Sequence, residues 1–342
     1  MSGFVHLRVH TEYSLVDSVV RVDALVDAAA RQRMPACAIT DQANVSALVK
    51  FYKLAFERGV KPIVGADVWI AESGEDRDPT RLTLLCQNRT GFKRLSSLLT
   101  KSAMRGAVNG RHVVLKEWLQ SSALEGLIGL SGAQSGELGR ALGAGRNGRA
   151  NELLDRWHEL LPGRFYIELQ RLGRPGEHEY LSSAVKMAAA KGVPLVATNE
   201  VCFLERGDFE AHETRVCIAQ GVTLDDPARQ RIYTEEQYLK SQDEMAKLFA
   251  DLPEALANSV EIARRCSLEV DIGKVFLPDF KVDDGSSPRD HLLQRATAGL
   301  AARLTALAIP AESASRYHER LNREIEVICK MGFEGYFLIV AD

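Results

Sequence analysis

No run of this chain approaches the roughly 18 consecutive apolar residues that a membrane-crossing helix needs. Its start, MSGFVHLRVH, lacks the basic stretch followed by an apolar core that marks a secretory signal. From both absences no membrane partner and a cytoplasmic location are expected. Cysteine is scarce and unpaired in sequence: positions 37, 86, 202, 217, 266 and 329 form neither a CxxC pair nor a zinc-finger spacing. Free thiols in a reducing compartment are expected. Excess charge is missing too. With 43 Lys and Arg against 46 Asp and Glu, no basic field covers the whole chain, which argues against tight, non-specific DNA binding by this piece alone. There is no P-loop, no HExxH and no kinase signature. A G-x-G-x-x-G match at 143–148, with Glu168 twenty residues on, follows the helical stretch GELGRAL rather than a strand. It reads as a Gly-rich loop between two helices, not a dinucleotide site.

What is present is ordinary in bulk. The 342 residues are 46% hydrophobic and 26% charged, which suits a soluble chain of about two domains. The opening stretch FVHLRVHTEYSLVD, Phe4 to Asp17, is the unusual part. With a period of two, Val5, Leu7 and Val9 share one face of a strand, while His6, Arg8 and His10 share the other. The apolar face suits packing against helices, and the polar face suits a site.

Apolar runs then alternate with helix-period stretches. Strands are predicted at 4–10, 36–40, 61–71, 81–88, 126–132, 164–170 and 193–200, with helices at 22–33, 46–59, 91–106 and 177–192 between them. This βα order with mostly continuous apolar strands predicts a parallel barrel ringed by helices, favoured over an open sheet by the seven strand candidates. Beyond about 205 helices dominate, at 208–220, 234–265, 288–307 and 313–331, and 268–288 reads as a linker. The expected division is 1–275, a barrel core of about 1–205 plus a helical extension, and 276–342, an incomplete further domain. The closing apolar stretch MGFEGYFLIVAD reads as a piece of a longer polypeptide.

Polar residues gather where apolar runs stop: Arg8, His10, Asp17, Asp41, Gln42, Asp67, Glu200 and Cys202. Parallel strands would bring these ends to one face of a barrel. Singly, each has a plainer reading. Asp17 and Asp41 would suit helix caps, and His10 a structural histidine. Their coincidence at strand ends is what points to a site.

The ordered segments FVHLRVHTEYSLVD, AITDQANVSALVKFY, KPIVGADVWI, RLTLLCQNRTGFKRL, LIGLSGAQSGEL and PLVATNEVCFL resemble the N-terminal PHP (polymerase and histidinol phosphatase) domain of bacterial DNA polymerase III alpha subunits. YTEEQYLKSQDEMAKLFADLPEALANSVEIARRC and MGFEGYFLIVAD resemble the segment joining that domain to the palm. The resemblance implies an α/β fold, a PHP-type distorted (βα)7 TIM-like barrel, followed by a mostly helical segment leading into the palm.

In active members the resemblance implies a divalent metal cluster that activates water for phosphoester hydrolysis. Carried over residue by residue, the H-x-H motif becomes Arg8 and His10, and the next acidic ligand is Asp17. The T-D-H motif reads Thr40, Asp41, Gln42. The strand-three glutamate becomes Asp67, the next histidine Arg81, the cysteine after S-G Ala133, and the late D-x-H motif Glu200 and Cys202. Arginine cannot be deprotonated to ligate, and alanine offers no donor. The expectation is a vestigial pocket in which Arg8 and Arg81 replace the ions electrostatically. No metal is expected; His10, Asp17, Asp67 and Glu200 are the residual ligand candidates. No catalytic residue is expected here, since the polymerase aspartates of the palm, with their Mg2+, would lie beyond Asp342. Two functions are weighed. One is a non-catalytic platform that docks the proofreading exonuclease (epsilon) subunit, with the other alpha-subunit domains, the sliding clamp and DNA met through the full-length protein. The other is a metal-dependent PHP phosphoesterase or 3′–5′ exonuclease.

Overall fold

The computed structural model describes all residues except 1–2, 77, 109, 275–278, 284 and 342. It divides into two compact units, Met1–Val270 and Asp271–Asp342. The division expected at 275/276 falls on residues outside those described, as does Asp342.

The first unit opens with residues 4–10, an extended segment tied to its neighbours by single bridges rather than a long ladder. His6 bridges Cys37 and Val9 bridges Val201, both in parallel. Helix α1 (Val22–Arg31) leads to strand β1 (Ala36–Ile39), and α2 (Leu48–Glu57) to β2 (Lys61–Ala71). Strand β3 (Thr80–Cys86) precedes α3 (Arg89–Arg105), whose first turn is capped by the Asn88 side chain accepting from Gly91 N–H. A small hairpin of β4 (Ala107–Val108) and β5 (Arg111–Leu115) follows, then β6 (Leu127–Leu130). The Gly-rich match at 143–148 spans the junction of α4 (Glu137–Gly143) and α5 (Asn147–Leu160), with only residues 144–146 forming the loop between them. Strand β7 (Phe165–Leu169), α6 (Glu177–Lys191) and β8 (Leu195–Ala197) complete the repeat.

Seven extended positions close into a ring. β1 pairs with β2, β2 with β3, β3 with β6, β6 with β7 and β7 with β8. The chain just after β8 returns to the opening segment, where His10 N–H donates to Val201 O and Val201 N–H to Arg8 O. The fold is therefore a distorted (βα)7 TIM-like barrel. One expectation needs correcting: β3 is antiparallel to both β2 and β6. Among the described residues the short connection from Ala71 to Thr80 holds no crossover helix, and so it turns the chain back. As a result Arg81, at the start of β3, reaches the same rim as the ends of the parallel strands.

Val5 and Leu7 pack on the inner face of the barrel with Ala38, Ile63, Leu85, Ile128 and Val196, against Ile262, Ala263 and Cys266. The single apolar face expected for Val5, Leu7 and Val9 is corrected, since Val9 packs with Cys37, Ile39 and the helices α1 and α2. Ile262 and Ala263 belong to α9 (Pro253–Arg265) and Cys266 follows it directly; α7 (Phe209–Gln220) and α8 (Gln242–Leu248) precede α9. Ser259 of α9 accepts Val5 N–H at 3.0 Å, and Asn258 donates to Leu195 O at 2.7 Å. The predicted helix 234–265 is corrected at both ends of α8. Residues 234–241 form an irregular strap, a Ser241–Glu244 capping box starts α8, and Pro253 opens α9 as a separate helix.

The second unit holds α10 (Pro288–Ala306), α11 (Ala311–Lys330) and α12 (Glu334–Ala341). Of their residues only Ile325 and Leu338 are buried apolar ones. No helix of the described residues is long and apolar enough to cross a membrane.

Candidate functional site

The site lies at the strand-end rim of the barrel and is built around Arg8. Its backbone is clamped on both sides, since Val201 N–H donates to Arg8 O and Val9 N–H to Thr40 Oγ1 at 3.0 Å. The guanidinium is buried and meets three carboxylates. Nη2 donates to Asp67 Oδ2 at 2.7 Å and Glu200 Oε1 at 3.1 Å, Nε to Asp67 Oδ2 at 3.2 Å, and Nη1 to Glu168 Oε1 at 3.4 Å. Arg81 Nη1 donates to the same Asp67 oxygen at 2.7 Å, with Nη2 3.9 Å from Asp17 Oδ2. His10 bridges the carboxylates, Nδ1 lying 3.0 Å from Asp17 Oδ2 and Nε2 3.1 Å from Asp67 Oδ2. Arg174 Nη2 adds a bond of 2.7 Å to Glu200 Oε2. The cations Arg8, Arg81, Arg174 and protonated His10 thus match the anions Asp17, Asp67, Glu168 and Glu200 in number.

The electrostatics follow from that balance. Burial by itself would make each charge unfavourable. For Asp67 this is outweighed by Arg8 and Arg81, which hold the carboxyl below the usual carboxylate range. Glu200 is held well below its ordinary value: burial raises it, and Arg8, Arg174 and Arg81 more than reverse that. His10 is driven well above its ordinary value because Asp17 and Asp67 outweigh burial, so both ring nitrogens donate. Asp17 is lowered against burial chiefly by His10.

The sequence-derived residues separate into groups. Arg8, His10, Asp17, Asp67, Arg81 and Glu200 come together in the network. Gln42 joins at its edge, donating to Asp17 Oδ2 and accepting from Trp69 Nε1 at 3.3 Å. Cys202 is buried beside it, with Gln237 Nε2 3.7 Å from the sulfur, and burial pushes its thiol up to about 12. Ala133 is buried at the turn after Gly132 and contributes no polar side chain. Asp41 turns away, accepting from Thr11 N–H at 2.6 Å and Ser14 Oγ at 2.7 Å. It pins the loop after the opening segment rather than facing the arginines. Neither Asp17 nor Asp41 caps the following helix, as α1 and α2 begin after Arg21 and Ala47. His6 also stays outside, with Nε2 2.8 Å from Lys240 O, and burial pushes it down to about 4.

Three participants were not anticipated as site residues. Glu168 accepts from Thr198 Oγ1 at 2.6 Å and Gly132 N–H at 3.0 Å, as well as from Arg8. A carboxylate in step with Gln170 inside the apolar strand RFYIELQ was the available signal. Arg174 and Tyr233, whose hydroxyl donates to Asp17 Oδ2 at 3.2 Å, sit on irregular segments with no periodicity to flag them.

Chemically, two sets of donor atoms lie within 4.8 Å of one another: His10, Asp17 and Cys202, and His10, Asp67 and Glu200. The pocket oxygens are largely taken, however. Among the described residues each carboxylate oxygen of Asp67, Glu168 and Glu200 accepts at least one bond, and Asp17 Oδ1 alone is buried without a partner.

A closed barrel with a polar rim of histidine, carboxylates and one antiparallel strand defines a PHP-type domain. The PHP domain pattern matches residues 6–172, and that of the bacterial DNA polymerase III alpha NTPase domain matches 290–342. The chain is 51% identical over 345 residues to DNA polymerase III subunit alpha of Pseudomonas aeruginosa, covering 99% of this chain and 29% of that protein. It is 46% identical over 343 residues to the subunit of Escherichia coli K12, again covering 99% and 29%. A metal-dependent phosphoesterase structure from Bifidobacterium adolescentis is similar at 11% identity and a TM-score of 0.40, covering 58% of this chain and 86% of that one. The chain belongs to the DNA polymerase III alpha family, as its N-terminal PHP-containing part. It spans under a third of the length of the curated relatives it matches.

Proposed function

We propose that this chain is the non-catalytic platform of a replicative DNA polymerase and docks its proofreading exonuclease. The carrying observation is Asp67 Oδ2, which receives Arg8, Arg81 and His10 together. An oxygen shared by two guanidinium groups at hydrogen-bond distance leaves no room for a divalent cation at the same face, and the arginines repel one. The lone open oxygen, Asp17 Oδ1, and a protonated Cys202 do not make up a metal cluster. The residues present therefore do not fit the ions that the domain type implies, and no hydrolytic step is derived through them.

In this reading the pocket is an ion-pair keystone that holds the barrel's strand ends together. The parent protein polymerises DNA with Mg2+ held by the palm, further along the chain. The remaining alpha-subunit domains and the sliding clamp are reached through the full-length protein, in the cytoplasm. The barrel's outer surface receives the epsilon subunit. Metal analysis and an exonuclease assay on the purified chain, followed by pull-down with epsilon, test this. No stoichiometric zinc or manganese, no EDTA-sensitive exonuclease activity and retention of epsilon are expected. The alternative, a metal-dependent phosphoesterase, draws on the clustered donors of His10, Asp67 and Glu200. Stoichiometric metal together with EDTA-sensitive cleavage would establish it instead.

A further inference from the structure

Charge along the chain is segregated. Residues 89–116 contain seven of the 43 Lys and Arg and none of the 46 Asp and Glu. This stretch is α3 with the β4–β5 hairpin behind it. The apolar side of α3, Leu95, Leu98 and Leu99, is buried in the core. Lys93, Ser97, Thr100, Lys101 and Met104 are exposed at helical spacing along the opposite face, with Arg105 beside them. Lys93, Lys101 and Arg105 make no ion pair among the described residues, while Arg94 reaches Glu125 at 3.5 Å. Lys116 is excluded, being buried against Glu72 and Glu137.

The helix does not end its basic face at Arg105. Gly106 packs so closely that a Cβ there would lie 2.1 Å from Val113 O, and Val113 N–H donates to Gly106 O at 2.7 Å. That contact folds the hairpin back onto the helix end and puts exposed Arg111 and His112 beside it. Arg111 is held in place by stacking over the Trp69 ring at 4.7 Å, while Arg81 covers that ring at 4.0 Å.

We propose that this face, Lys93, Lys101, Arg105 and Arg111 with Ser97 and Thr100, is a contact surface for the phosphate backbone of duplex nucleic acid. Lys93 to Arg105 spans about 18 Å at the helical rise of about 1.5 Å per residue. Lysine and arginine interleaved with hydroxyls is the donor set that phosphate oxygens take. A single strand would call for open aromatic faces on which to stack bases. Both cations on Trp69 occupy its ring, and Phe92 is half-buried. An acidic peptide would call for an apolar anchor, and Met104 is the one large apolar side chain on this face.

The experiment is anisotropy of the whole chain with a labelled, random-sequence duplex from roughly 50 to 200 mM salt. Weak, sequence-independent binding that falls steeply with salt is expected. The variant Lys93→Glu/Lys101→Glu/Arg105→Glu, its fold checked by circular dichroism and urea midpoint, should bind at least tenfold more weakly. The variant Lys53→Glu/Lys186→Glu/Lys247→Glu makes the same charge change elsewhere and should stay within about threefold of the parent, by the same short-range screening. Absence of binding by the parent at the lowest salt, or equal loss in both variants, would overturn the proposal. So would tighter binding of a single strand, or equal competition by polyglutamate.

Discussion

Arg8 Nη2 and Asp67 Oδ2 meet at 2.7 Å with both side chains sealed from water, and Arg81 Nη1 contacts the same oxygen at 2.7 Å. Two permanent cations converge on one carboxylate oxygen. This arrangement stabilises the fold only while every member is present, because a buried charge without its partner is far costlier than the intact pair is favourable.

Removing one partner should therefore be severe. Arg8→Met or Asp67→Leu is expected to lower stability by about 3–5 kcal/mol each, read from urea midpoints. The double variant removes one charge of each sign and should cost clearly less than the sum. Strict additivity would show that the two groups are not coupled.

Stability should be bounded on both sides by pH. Asp67 and Glu200 have lowered folded values, so their contribution is complete above the unfolded carboxylate value near 4 and is lost as pH falls through the folded values. His10 has a raised folded value, so its contribution is complete below the unfolded histidine value near 6.5 and disappears as pH rises through the folded one. Urea midpoints taken across acid and alkaline pH should fall at both ends. In His10→Gln the alkaline decline should shrink, and an unchanged decline would assign it to another group.

Restoring two histidines should not restore a metal centre. Arg8→His/Arg81→His leaves Gln42 and Ala133 in place and strips two cations from Asp67 and Glu200. The expected result is loss of stability with well under one equivalent of zinc or manganese by elemental analysis. Tight binding of more than one ion would mean that the arginines alone had suppressed the site.

Gly132 couples a turn to the network. Its φ is +77°, its N–H donates to Glu168 Oε2 at 3.0 Å, and a Cβ would lie 2.3 Å from Arg81 O. Gly132→Ala should cost about 2–4 kcal/mol through strain and displacement of Glu168 and Arg81. Gly143→Ala, in open space at the end of α4, should be neutral or slightly stabilising. Equal effects would remove the special role of the turn.

Local patterns carried much of the architecture. The two-residue period of 4–10 pointed to one apolar face, and the structure splits it: Val5 and Leu7 lie with Ile63 inside the barrel, and Val9 lies with Cys37 and Ile39 outside. It also grouped His6 with Arg8 and His10, but a segment held by single bridges can change phase, and His6 ends against Lys240 O. Asp17, in the loop after the opening segment, and Glu200, just past β8, were readable because apolar runs must stop where the rim begins, whereas Asp67 lies inside β2 as a carboxylate in an apolar strand. Asp41 met the same criterion yet faces Thr11 and Ser14, since a carboxylate near a loop takes the nearest backbone and hydroxyl donors. Glu168 was legible as a carboxylate inside an apolar strand, yet the sequence reading attached it only to a false dinucleotide pattern.

The alternating apolar segments, the glycine and proline punctuation and the identity of Arg8 and Arg81 as permanent cations are written in the chain, because each depends on neighbours a few residues away. The reversal of β3, the closure of Val9 onto Val201 and the meeting of Arg8 with Asp67, Glu168 and Glu200 are not. The Arg8 pairings join residues 59 to 192 positions apart. Only closing the ring brings such groups within bonding distance, and only burial makes their charges balance one another rather than dissolve into water.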